Sequence, residues 1–77
     1  MTDTVGRRIR QERENRSWDQ GELSARAFGN TGRTSDISHW ENDKREPSLR
    51  NLRALARAFS LRIYDLIPDS DHTEATE

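Results

Sequence analysis

Apolar residues in this chain recur at helical intervals, broken by clusters of turn-forming residues. Val5 and Ile9 stand four apart among charged residues, which predicts a first helix over 4–16 that must be held by packing. Asp19 and Glu22 have the spacing of a capping box, with Asp in the place more often held by Ser or Thr. Trp18 and Leu23 then fall at the two positions of a hydrophobic staple, so a second helix is predicted from Gln20 to Phe28, stopped by Gly29. Asn30-Thr31-Gly32-Arg33 has the composition of a turn. Thr34 or Ser35 is expected to cap a third helix, with Asp36 in its first turn and Ile37 and Trp40 facing inward, fading at Asn42-Asp43. Beyond the loop Lys44-Arg45-Glu46-Pro47, Ser48 caps a fourth helix. Its Leu49, Leu52, Leu55, Ala56 and Phe59 form the cleanest helical period in the chain. A short fifth helix is expected around Ile63–Ile67, halted by Pro68. The pattern therefore predicts an all-α domain over residues 1–68, with Trp18, Leu23, Ile37, Trp40, Leu52, Leu55 and Phe59 in its core. The polar, acidic stretch 69–77 is expected to be a disordered tail.

Composition sharpens this picture in two ways. Leu, Ile, Val and Phe number only 13 of 77 residues, a range in which disorder competes with folding. A net charge of −1 and the ordered apolar pattern favour a fold. A core this small supplies roughly 3–5 kcal/mol, so dimerisation or ligand binding would matter to stability. Without cysteine, neither a disulfide framework nor a thiolate zinc site can supplement it. No apolar run approaches the ~20 residues of a transmembrane helix and no signal-peptide pattern opens the chain, so a cytoplasmic protein is expected. The near-neutral total hides an asymmetry. Residues 1–62 hold all 13 basic side chains and nine acidic ones, whereas 63–77 hold five acids and no base. A basic body with an acidic tail suits a nucleic-acid partner, although charged faces are commonly just solvated.

Two short helices joined by a glycine-containing turn, the second polar on its outer face, are a helix-turn-helix candidate. In that motif the second helix enters the major groove and side chains near its N-terminus meet base edges. Arg33, Thr34, Ser35, Ser38 and His39 are residue types suited to that reading, Arg33 by bidentate bonding to guanine.

From Val5 to Ile67 the chain resembles the lambda-repressor-like, Cro-type helix-turn-helix regulators (the xenobiotic-response-element type). The resemblance is carried by Ile9-Arg10-x-x-Arg13, Trp18-Asp19-Gln20-Gly21-Glu22-Leu23 and Ile37-Ser38-His39-Trp40-Glu41-Asn42. Arg45-Glu46-Pro47-Ser48-Leu49 and the series Leu52, Leu55, Ala56, Phe59 and Leu66 complete it. It implies a compact five-helix DNA-binding domain with helices 2 and 3 as the helix-turn-helix. It also implies phosphate contacts from Gln20, Asn42, Lys44 and Arg45, and a salt bridge between Arg13 and Glu41. The chain departs from the family pattern in places. Fourteen residues separate Leu23 from Ile37, three more than usual, so either the turn is longer or the second helix extends. Asp43 stands where glycine is frequent, and Ser24 and Ser60 replace the usual Ala and Gly.

Other functions fit less well. Asp36, Ser38 and His39 include catalytic-triad residue types, but positions one or two apart on a helix do not face each other. His39 and His72 lack metal-ligand spacing, and no phosphate-binding glycine loop occurs, so no enzyme, metal, cofactor or small-molecule ligand is expected. A protein-interaction module of the same fold, antitoxin-like or binding polymerase or another partner, is the alternative. The favoured reading is a transcriptional regulator of double-stranded DNA, a repressor because small regulators without an effector domain commonly act by occlusion. It would be a homodimer through Leu61, Ile63, Tyr64 and Ile67 on a two-fold symmetric operator.

Overall fold

Local caps and apolar spacing set the element boundaries. In the computed structural model, which describes residues 3–68, the helices are α1 (Val5–Asn15), α2 (Gln20–Phe28), α3 (Thr34–Glu41) and α4 (Leu49–Ala58). The expected tail, 69–77, lies outside the described residues. Thr4, Asp19 and Ser48 cap α1, α2 and α4, each side chain accepting from the N–H three residues on, of Arg7, Glu22 and Asn51. The box at α2 is only half closed, because the Glu22 carboxylate turns outward to Arg26 at 2.7 Å.

Three expectations need correction. The fifth helix is a 3-10 turn, Ile63–Leu66, and not an α-helix. Ile67 donates to the Tyr64 carbonyl, three residues back, and is already extended ahead of Pro68, so no α-helical bond closes. Among the described residues there are therefore four α-helices, not five. Thr34 and Ser35 do not cap α3; both lie in its first turn, and Arg33 occupies the cap position without a side-chain bond. The buried hydroxyl of Ser24 takes over, donating to the Asn30 carbonyl and accepting from the Arg33 N–H at 3.0 Å. The extra residues of the motif thus lie in the turn, and Ser24 ties both of its ends to α2. Finally, Trp18 is half-buried and outside the core. Its ring stacks on Phe59 with centroids 5.8 Å apart, and the Arg26 guanidinium lies 4.4 Å from its centroid, so cations cover what apolar atoms do not.

The core comprises Ile9, Leu23, Ile37, Trp40, Leu52, Leu55, Ala56, Phe59 and Leu66, with Val5, Phe28, Leu61 and Ile63 packed around it. Only Ile9 anchors α1 deeply, and polar ties and a close backbone approach complete its seat. A Cβ on Gly6 would overlap the Trp40 carbonyl oxygen, so glycine alone lets α1 rest on the end of α3. Each α-helix is followed by a left-handed residue: Ser17 (φ 60°), Gly29 (81°), Asp43 (61°) and Ser60 (60°).

Candidate nucleic-acid interface

The placement of α3 begins at its C-terminal end. Arg13 from α1 meets Glu41 with both prongs, Nε to Oε2 at 2.7 Å and Nη2 to Oε1 at 3.0 Å. The remaining Arg13 nitrogen donates to the Trp18 carbonyl at 2.7 Å, and the Gln20 amide donates to Glu41 Oε1 at 3.1 Å. One buried carboxylate therefore joins α1, the start of α2 and the end of α3. Hydrogen bonding to Glu41 raises the Arg13 pKa above the ordinary arginine value, outweighing the lowering by burial. Because that pKa is raised, the stability the pair contributes is fully present below the range in which arginine titrates, and so is constant across neutral pH.

Gln20 is thus half-buried, its amide nitrogen engaged by Glu41, while its backbone N–H belongs to the first turn of α2, where no intrahelical acceptor exists. Along α3, Ser35 is exposed and Thr34, Ser38 and His39 are half-buried. The Nδ1 of His39 is buried without a hydrogen-bond partner, which leaves Nε2 as the nitrogen able to meet a ligand. Arg33 does not reach freely into solvent. Its Nε donates to Asp36 Oδ2 at 2.7 Å, and its guanidinium lies 4.5 Å from the Phe28 ring centroid. The first restraint follows from spacing, since residues three apart at a helix start meet, whereas the second is made across the turn by the last residue of α2.

After α3 the chain folds back on it. The Asn42 amide donates to the Ser38 carbonyl at 2.8 Å, and the Lys44 and Arg45 N–H groups both bond the His39 carbonyl. The left-handed corner at Asp43 is fixed by Thr4, whose hydroxyl donates to Asp43 Oδ1 at 2.8 Å. This brings Asn42, Lys44 and Arg45, all exposed, to the end of α3. Elsewhere arginines are paired with carboxylates, as in Arg10–Glu14, Arg16–Glu12 and Arg26–Glu22. Among the described residues the cations without a carboxylate partner are Arg7, Lys44, Arg50, Arg53 and Arg57. Three of these share the outer face of α4, a helix with no acidic residue. That ridge went unread in the sequence, although spacings of three and four, without intervening acids, announce it.

Of the apolar residues near the C-terminal end of the domain, Leu61, Ile63 and Ile67 are half-buried and Tyr64 is 57% exposed. Among the described residues, no group of His, Asp or Glu side chains could hold a metal ion, and no helix is long and apolar enough to cross a membrane.

No curated protein and no solved structure matches the chain. A family model does, described as a helix-turn-helix domain and aligned over residues 6–68, a span that runs from the second residue of α1 through the 3-10 turn. Its match agrees with the resemblance to lambda-repressor-like, Cro-type regulators, a DNA-binding class of regulator. With α2 and α3 fixed against each other by Ser24 and Glu41, and the family match spanning both, this chain belongs to the helix-turn-helix domain family.

Proposed function

We propose that the protein is a sequence-specific DNA-binding transcriptional regulator, a non-enzymatic cytoplasmic repressor acting as a homodimer on a two-fold symmetric operator. The observation that carries this reading is the polar outer side of α3, flanked at its end by exposed Asn42, Lys44 and Arg45 and held rigidly from behind by Glu41. In the major groove, Ser35, Thr34, Ser38 and His39 would read base edges, and Arg33 would reach guanine once released from Asp36. Gln20, Asn42, Lys44 and Arg45 would hold phosphates, fixing the register of α3 without reading sequence. The two-fold contact would use Tyr64 and Ile67, with the flanks of Leu61 and Ile63, and would set half-sites one helical turn apart, roughly 10–10.5 base pairs.

Selection of binding sites from a random DNA pool, followed by alanine substitution, tests the reading. Ser35→Ala, Ser38→Ala and His39→Ala are expected to lose discrimination at one or two base pairs per half-site, by about 1–3 kcal/mol where a good contact is removed. Asn42→Ala and Lys44→Ala are expected to weaken all sequences alike. Identical behaviour of the two groups over a panel of site variants would refute the division into readers and clamps. Recovery of no enriched sequence would refute sequence-specific binding.

A further inference from the structure

Asp36 is the one carboxylate on the outer side of α3, and its two oxygens are divided between two arginines. Oδ2 accepts from Arg33 Nε at 2.7 Å, and Oδ1 lies 4.0 Å from Arg45 Nη1. The side chains of Arg33 and Asp36 are each about one-third exposed and that of Arg45 about two-thirds, so this triad sits at the edge of solvent where an incoming duplex would meet it. We infer that Asp36 determines the specificity of the interface by holding Arg33 and Arg45 away from phosphates until a matching base edge replaces them. This inference rests on the DNA-binding reading above and deepens it.

The argument is one of competing anions. A duplex offers both arginines phosphate oxygens, which are strong charge-assisted acceptors. At a random site, transfer of Arg33 or Arg45 to phosphate strips Asp36 of a partner and leaves its charge facing a polyanion. That is a repulsive element acting against every wrong sequence. At a matching site, a major-groove amino group, cytosine N4 foremost, donates to Asp36 and compensates it. Arg33 is then free for the O6 and N7 acceptors of a guanine. Phe28, beneath the Arg33 guanidinium, keeps that side chain near the groove in either state. Exposed ion pairs of this kind contribute little to folding, so the triad is suited to exchange partners during binding.

Asp36→Asn, nearly equal in shape, removes the charge. Each phosphate newly neutralised adds about 0.9 to the slope of log affinity against log salt, roughly eightfold in affinity for a tenfold drop in salt. Asp36→Asn is therefore expected to bind random-sequence duplex with a slope steeper by about 0.9. Its preference for the selected site over random duplex should fall by a similar factor of roughly eight at low salt. Asp36→Glu is expected to keep the parent slope, and adding Arg45→Ala to Asp36→Asn to reduce the steepened one. A merely structural role at the start of α3 would change thermal stability without steepening the slope. Should Asp36→Asn lose its helical circular dichroism, Asp36→Ser, well suited to a helix N-terminus, carries the same measurement. An unchanged or shallower slope in the neutral variant, with salt-dependent binding by the parent protein, overturns the inference and leaves the DNA-binding reading intact. Absence of salt-dependent duplex binding by the parent protein overturns both.

Discussion

The two ends of α3 are each secured by an arginine–carboxylate pair, and the pairs differ in almost every other respect. At the C-terminal end, the Glu41 side chain is 2% exposed, meets Arg13 bidentately and accepts a further bond from Gln20. At the N-terminal end, Asp36 receives Arg33 through one oxygen, with each side chain about one-third in solvent and no side-chain cap on the helix. Similar ionic groups therefore do opposite work. The buried pair cannot lose a partner without stranding a desolvated charge, whereas water compensates the exposed one. The domain grips α3 from behind at its C-terminal end and leaves the charges at its leading end in contact with solvent.

Substitutions at the two ends should separate accordingly. The largest loss is expected for Glu41→Ala, which strands Arg13 and removes the acceptor of Gln20. A buried pair broken from one side costs about 3–5 kcal/mol, most or all of the stability of so small a domain. Urea denaturation should find it largely unfolded, and a wild-type midpoint would erase the contrast drawn here. Gly6→Ala comes next, at about 2–3 kcal/mol, since the added methyl must push α1 from the Trp40 carbonyl. If its melting temperature were unchanged, α1 would not be seated as described. Ser24→Ala, which unties the turn before α3, should cost about 1–2 kcal/mol and loosen the N-terminal end selectively. Hydrogen exchange at Arg33 should accelerate while that at Asn42 stays slow. Asp36→Asn is expected at the bottom of the series, below about 1 kcal/mol, despite the change in DNA binding proposed for it. A reversed order, with Asp36 costing more than Glu41, would mean that the helix is held from its leading end.

Much of the fold was legible because several signals were local. Asp19, Trp18 and Leu23 mark the start of α2 within six residues, and Ser48 with the Leu49–Phe59 period defines α4. The register of α3 followed from Ile37 and Trp40, both buried. The start of α3 was misread because its deciding group, Ser24, belongs to the preceding helix and acts across nine residues. Trp18 is only half-buried because the nearby guanidinium groups of Arg16 and Arg26 cover part of its ring, an arrangement that the staple spacing alone does not announce. The juxtaposition of Arg13 and Glu41, 28 residues apart, came from family resemblance and not from any spacing. Gly6 carried a signal that was available, a glycine inside a helical pattern, but its reason is a backbone approach visible only in three dimensions. Within the candidate interface, residue types pointed to contacts with DNA, whereas the engagement of Arg33, Gln20 and Asn42 by neighbouring groups depended on geometry.

The left-handed corners that close the four helices have a consequence for the entropy of docking. Three of the four, Ser17, Asp43 and Ser60, carry side chains where glycine would be unstrained. A Cβ makes the left-handed basin less favourable and narrower, costing roughly 1–2 kcal/mol at each corner. The same narrowness restricts the angle at which the chain leaves each helix. At Asp43 that angle directs Lys44 and Arg45, and the hydroxyl of Thr4 restricts it again. On the DNA-binding function proposed above, strain stored in the free protein becomes preorganisation: less freedom would remain to be lost when the loop met an anionic surface, and more of the contact energy would be left over as affinity.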